Sequence, residues 1–267
     1  MFLEKTIDRN PNLIKAAFYL HQEGVISPDT YVLDYDMILE NARMMKKEAD
    51  KYGIKLYFMG KQIGRNPLIC KALVDMGFEG AVAVDYKDAK IHIENGIKLG
   101  HVGHLVQIPK NDVELIVSAN PQTISIYSIE KAKEISKAAV KLNVKQNITL
   151  RVIDDEDMLY PAQYGGFYLK DLEKVVDELR SLPNIVIHGL TSFPCFLYDS
   201  KEKKIKDTHN LKTVLKAKDI LKDMDINIEE VNLPSANCTE SMKLIKSFGG
   251  THGEPGHGFT GTTPFHG

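Results

Sequence analysis

Lys61 follows the apolar run Leu56-Tyr57-Phe58-Met59-Gly60, and far downstream the chain reads Gly253-Glu254-Pro255-Gly256-His257. A primary amine at the end of a buried strand can condense with an aldehyde, and the apolar run beneath it would partly desolvate the ammonium. A glycine-rich turn lets backbone amides approach a phosphate, and its one carboxylate can keep a pyridine nitrogen protonated. Amine, phosphate cradle and anion together are what pyridoxal 5'-phosphate (PLP) asks of a protein. Each feature alone says little, because a lysine often only opens a loop and a glycine-rich turn is often only a turn.

The surrounding elements decide whether these residues can meet. From residue 30 onward, short β-branched or aromatic runs alternate with amphipathic charged segments, the rhythm of a parallel sheet covered by helices. Strands are expected at residues 31–34, 56–60, 80–84, 102–108, 123–126, 148–153, 185–191, 230–233 and 249–252. Helices are expected at 37–52, 67–76, 87–95, 129–142, 170–181 and 210–224, where apolar residues recur at three and four positions. Without the first strand, eight βα units remain, which fits a (β/α)8 TIM barrel. A doubly wound sheet would want a GxGxxG turn after an early strand, and none is present. Residues 1–28 read as an N-terminal helical extension broken at Asn10-Pro11, and 29–267 as the barrel. Strand C-terminal ends face the mouth of such a barrel, and Lys61 stands at one.

Several of these segments resemble a known family. Lys61 after a strand, Leu150-Arg151-Val152, Tyr164-Gly165-Gly166-Phe167, Pro234-Ser235-Ala236-Asn237 and the Glu-Pro-Gly turn occur in the order found in fold-type III PLP enzymes. These are the alanine racemases and the ornithine and diaminopimelate decarboxylases. Gly60-Lys61-Gln62-Ile63-Gly64-Arg65-Asn66-Pro67, His101-Val102-Gly103-His104 and Thr251-His252-Gly253-Glu254-Pro255-Gly256-His257 are similar to alanine-racemase-like proteins of the YhfX type. The resemblance covers nearly the whole chain and implies an alanine racemase N-terminal barrel, with PLP as cofactor and an amino acid as substrate.

The resemblance makes Lys61 the Schiff-base lysine and the acid or base at the substrate α-carbon. It gives the phosphate to Arg65, Ser235 and the amides of Gly256 and His257, and the pyridine nitrogen to Glu254. The decarboxylases share that glutamate, whereas the racemases use arginine. His104, at the barrel mouth, would reach the cofactor ring. The sixth strand ends without the histidine that relatives pack on the ring, so that place is either vacant or taken by Ser192 or Phe193. Relatives also continue into a C-terminal β-domain, missing or truncated here, and act as homodimers, with residues 31–34 matching the strand that joins that domain.

The implied activity is amino-acid racemisation, with decarboxylation or non-catalytic PLP binding as alternatives. A metal on His252, Glu254 and His257 is disfavoured, because their spacing is not that of a helical ligand pair. Cys195 reads as a small buried thiol and residues 154–157 as a solvated acidic loop.

Bulk properties narrow the classes further. A net charge of −2 and a pI near 6.5 leave no broad basic surface for nucleic acid. No apolar run approaches the roughly 20 residues of a membrane helix, and the N-terminus has no signal-like core, so a cytoplasmic protein is expected. Cys70, Cys195 and Cys238 have no CxxC spacing and read as free thiols.

Overall fold

A computed structural model describes residues 2–261. Eight parallel strands close into a barrel: Lys55–Met59, Gly80–Ala83, Leu99–Val102, Thr123–Ile126, Gln146–Ile153, Ile185–Thr191, Glu230–Asn232 and His252–Gly253. Each pairs with the next, and His252–Gly253 pairs back onto Lys55–Met59 through Lys55↔His252 and Leu56↔Gly253. Helices follow the first seven strands on the outside. After the eighth, the described residues form the short turn His257–Thr260, and helix Tyr35–Tyr52, which precedes the first strand, packs against it. A Cβ on Gly258 would lie 2.7 Å from the Met45 sulfur, so the helix packs directly against this turn.

The alternation of the strands sorts the core into two parts. Leu56, Phe58, Ala81, Ile124, Ile126, Ile148, Leu150 and Val231 belong to one large apolar cluster with the helices. Tyr57, Met59 and Val82 form a separate small cluster on the other side of the sheet. There the buried side chains are largely polar: His101, Thr123, Ser125, Thr149, Arg151, Thr191, Glu230, Asn232, His252 and Glu254. Barrels of this type usually fill their interior with branched aliphatic residues. This one has a hydrogen-bonded interior, with Tyr57 Oη donating to Glu230 Oε2 at 2.9 Å and Thr123 and Thr149 hydroxyls 2.7 Å apart.

The third strand shows how one backbone irregularity re-aims chemistry. Ala81 pairs with Leu99 but Val82 pairs with His101, so Gly100 is an extra, bulged residue. Leu99 keeps the helix-facing side, and both Gly100 and His101 turn to the interior. The expected strand 102–108 is therefore displaced toward the N-terminus, because the alternation is broken at the bulge.

Other expectations are corrected by the structure. Residues 31–34 pair with no strand among the described residues; they are an irregular connection, exposed at Tyr31 and half-buried from Val32 to Asp34. Asp34 there caps helix Tyr35–Tyr52, accepting from Met37 N at 3.0 Å, and accepts from Asn10 Nδ2 at 2.7 Å. The N-terminal segment forms two helices, Phe2–Arg9 and Pro11–Gln22, broken where expected, with Asn10 as N-cap of the second. The eighth strand is His252–Gly253, later than expected. Unforeseen were helices Val113–Ser118 and Ser241–Ser247 and an antiparallel hairpin, Phe196–Asp199 with Lys204–Asp207, inserted after the sixth strand.

A Cβ on Gly100 would stand 2.3 Å from Tyr57 Cδ1 and 3.1 Å from the Gly80 backbone carbon. Gly100→Ala should lower stability by about 1–3 kcal/mol, because the buried Tyr57 ring must shift. Urea denaturation checks this, and a midpoint equal to that of the parent protein would show that the ring is not fixed by the bulge.

Candidate active site

The C-terminal ends of the strands surround a cavity of about 420 Å³ lined by Lys61, His104, Ser235, Glu254, Gly256 and His257 among others. Four loops far apart in sequence thus bring six of the expected site residues to one place. Lys61 lies on the short turn Gly60–Ile63 that directly follows the first strand. Its side chain is exposed at the cavity and not sealed among the apolar strand residues, so the expected desolvation is not found in the structure.

Glu254 is the centre of the buried polar residues. Its Oε1 is paired with His101 Nδ1 and accepts from Asn232 Nδ2 at 2.6 Å, and its Oε2 faces His104 Nδ1 at 3.2 Å. The His101 Nε2 is 2.6 Å from the Ser125 hydroxyl. Gly103, at φ +81°, turns the chain between the two histidines so that both reach the same carboxylate. Burial opposes charge on Glu254, but the imidazole pair and the Asn232 amide outweigh it and hold the carboxyl below its ordinary range.

Burial also opposes charge on His101, yet the carboxylate overcomes it and raises that imidazole above its usual value. His104 goes the other way: burial pushes it down to about 4, and the neighbouring His101 adds to the effect. Of the two imidazoles, His101 is thus the one favoured to carry a proton beside the carboxylate, and His104 the one held neutral. Glu254 Oε2 and His104 Nδ1 are both buried without a hydrogen-bond partner, so the carboxylate keeps one oxygen uncommitted at the cavity.

The second half of the site is backbone. Ser235 and Ala236 have φ of +83° and +48°, positive values at two consecutive residues that are not glycine. Such strain costs of order 1–3 kcal/mol per residue and survives only where the surroundings hold it. Asn237 holds it here, donating from Nδ2 to the Leu233 and Ser235 carbonyls at 3.1 and 3.0 Å. Its Oδ1 accepts from the Glu254 amide at 2.6 Å, which ties this turn to the carboxylate loop. The amides of Ser235, Ala236, Gly256 and His257 donate to no protein acceptor among the described residues. Gly256 is required where it stands, since a Cβ would come within 2.8 Å of Gln62 Oε1 and 3.0 Å of Met59 Cβ.

Arg65 is not part of this assembly. It does not line the cavity, and its Nε bonds Asp88 Oδ1 at 2.6 Å on the outer side of the turn. Of the two candidates after the sixth strand, Phe193 lines the cavity, edge-on to His104 at 5.2 Å between ring centres. Ser192 is buried beside Asn210, 3.3 Å from its Nδ2. His252 and His257 do not meet at Glu254: His252 stacks on Tyr57 inside the barrel, and His257 is exposed at the cavity. The ligand-type atoms of His101, His104 and Glu254 are the ones within 4.8 Å of each other. Cys195 is buried as expected, its thiol 3.3 Å from the Ser192 carbonyl. The acidic loop is only partly solvated, because the Asp157 side chain is buried and binds His209 Nδ1 at 2.8 Å and Thr213 Oγ1 at 2.7 Å.

Sequence reading missed Asn232, Asn237, Gln163 and Tyr160 at this site. Asn237 was quoted within a motif, and its role depends on a fold-back to residue 254 that spacing does not reveal. Arg151, fully buried, bonds the Tyr127 hydroxyl at 3.1 Å and the Gln163 carbonyl at 2.8 Å. It thereby explains the paired glycines 165 and 166: a Cβ on Gly165 would sit 2.5 Å from the Tyr127 ring.

Comparison with known proteins agrees with this geometry. Residues 33–264 match the model of the alanine racemase N-terminal domain, and the chain belongs to that family of PLP-dependent enzymes. It is 45% identical over 264 residues to the uncharacterized protein YhfX of Escherichia coli (strain K12), covering 99% of this chain and 68% of that protein.

Among solved structures, diaminopimelate decarboxylase from Helicobacter pylori, complexed with L-lysine, superposes with a TM-score of 0.71 at 16% identity, over 90% of this chain and 66% of that one. D-threonine aldolase from Filomicrobium marinum gives 0.67 at 14%, over 88% and 62%. Alanine racemase from Clostridium difficile 630 gives 0.64 at 17%, over 85% and 57%. These three show the shared barrel, and the chain spans about three fifths of their length. No helix among the described residues is long and apolar enough to cross a membrane.

The buried histidines predict acid sensitivity. Burial lowers His92 and His104 to about 4 and His252 to about 3, against 6.5 for each ordinarily. Below pH 6.5 the unfolded chain takes up protons that the folded one refuses, so stability should fall as the pH drops toward 4. Glu230 opposes this, because burial raises it to about 7 and the folded state gains a proton there between pH 7 and 4.5. Three imidazoles against one carboxyl leave a net loss on the order of 1–3 kcal/mol per pH unit. Urea midpoints measured at intervals across that window check it, and a flat profile would contradict the neutral, buried state of these rings.

Proposed function

We propose that this cavity is a PLP site and that the chain's activity is amino-acid racemisation. The supporting observation is the uncommitted, buried Oε2 of an anionic Glu254, placed in one cavity with the Lys61 amine. A carboxylate kept charged by His101 suits a protonated pyridine nitrogen, and a neutral imidazole beside it adds no competing positive charge. The four unbonded amides of Ser235, Ala236, Gly256 and His257 suit a phosphate, with the Ser235 hydroxyl beside them. The residues present therefore fit the group.

When bound, PLP supplies an electron sink for negative charge developing at the substrate α-carbon. The chain's residues do the rest. Lys61 provides the amine that anchors the aldehyde and then moves the α-proton. Glu254 holds a proton on the ring nitrogen and is itself held by His101 and Asn232. Asn237 fixes the turn that carries the phosphate donors relative to Glu254, so both ends of the cofactor are located by one hydrogen-bonded unit. Phe193 and Tyr160, with ring centres 5.7 Å apart, wall the cavity against water.

Glu254 is shared with the decarboxylases by resemblance, so loss of carbon dioxide is the competing outcome. Incubation with PLP, borohydride reduction and peptide mapping should place the label on Lys61; label on another lysine would overturn the site. Chiral chromatography of single-enantiomer amino acids should show loss of optical purity without release of carbon dioxide. Lys61→Ala should lower that rate by at least about a hundred- to ten-thousand-fold, the usual contribution of a positioned proton-transfer group. Stoichiometric carbon dioxide instead would replace racemase by decarboxylase.

A further inference from the structure

The hairpin of Phe196–Asp199 and Lys204–Asp207 is not a barrel element. It stands at the barrel mouth, and Leu197, Tyr198 and Ile205 from it line the same cavity as Lys61 and Glu254. The insertion is firmly fixed. Phe196 is fully buried with its ring 6.3 Å from that of Phe248, and the Cys195 amide bonds the Pro234 carbonyl at 3.1 Å. Thr208 closes the other strand onto the Pro194 carbonyl at 2.5 Å. Its turn is locked by Asp199, whose Oδ1 accepts from the amides of Lys201 and Glu202 at 2.9 and 3.0 Å.

Four charged residues of the hairpin pair with one another, and none of its charged residues lines the cavity. Lys206 pairs with Asp199 at 2.7 Å and with Glu202, and Lys204 pairs with Glu202 at 2.5 Å. What the hairpin gives the cavity is therefore Leu197, Ile205 and the Tyr198 ring. Among the described residues that line the cavity the one carboxylate is Glu254, whose open oxygen the PLP reading gives to the ring nitrogen. The one lysine among those residues is Lys61, and burial disfavours charge on both His104 and His257.

From this we infer that the hairpin selects the substrate: an amino acid with an uncharged, apolar side chain, seated against Leu197 and Ile205. The inference rests on the PLP reading of the cavity and adds the substrate class to it. A cationic or anionic side chain entering here would lose its water and meet no opposite charge, which is unfavourable, while an aliphatic one gains contact area.

The test uses stable reduced adducts, phosphopyridoxyl-leucine, phosphopyridoxyl-lysine and phosphopyridoxyl-glutamate, titrated into the cofactor-free protein by calorimetry, with PLP alone as a fourth ligand. The leucine adduct should bind at least about tenfold more tightly than the other two, the discrimination an apolar pocket ordinarily gives. Leu197→Ala should shrink that margin, and Ile205→Asp should reverse it in favour of the lysine adduct. Thermal melts confirm that each variant is folded, and should either one fail to fold, the other and the parent ranking still decide. Lysine or glutamate adducts binding as tightly as leucine would overturn the substrate class, as would a ranking unchanged in folded variants. PLP binding, with borohydride labelling of Lys61, judges the cofactor reading separately. A protein that takes neither PLP nor any adduct overturns both.

Discussion

A buried carboxylate that stays ionised constrains the rest of this barrel. Glu254 sits where desolvation alone would neutralise it, and it keeps its charge because His101 and Asn232 are brought to one oxygen. That requirement runs down into the interior. His101 needs the Gly100 bulge to face inward, Gly100 leaves room for the Tyr57 ring, and Tyr57 satisfies one oxygen of Glu230. Part of the polar barrel interior, His101, Ser125 and Asn232, thus supports one charged group near the mouth from below.

The same carboxylate loop is coupled to the opposite wall through its backbone. Asn237 accepts from the Glu254 amide and donates to the strained turn at Ser235 and Ala236. A turn of that kind is unfavourable in isolation and persists only when neighbouring contacts over-determine it. Rigid elements thus carry both halves of the candidate site, while the hairpin after the sixth strand adds Leu197, Tyr198 and Ile205 to the cavity wall. The division is physical: the barrel places reactive groups, and the insertion shapes the space beside them.

Much of the strand order was legible because period-two and period-3.6 patterns survive wherever one face is uniformly apolar. Thr123–Ile126 and Ile185–Thr191 are found at their expected bounds. The failures have specific causes. At the third strand a bulged glycine breaks the alternation, and at residues 31–34 an extended-looking run of Tyr, Val and Leu finds no partner strand and instead leads to a helix cap. The hairpin escaped because its strands carry charged residues that read as loop until cross-strand pairing is known.

From the sequence alone came candidate residues: a lysine closing the first strand and a carboxylate in the last glycine-rich turn, with a serine after the seventh strand supplied by family resemblance. Residue type and order suffice for that, because they record which chemistry is possible and which strand end carries it. Only the tertiary structure decided that Arg65 is spent on Asp88, that His101 and not His252 serves Glu254, and that one oxygen of the carboxylate stays open to the cavity. Those outcomes depend on which side chains compete for the same few ångströms, and such competition exists only after residues distant in the chain have been brought together.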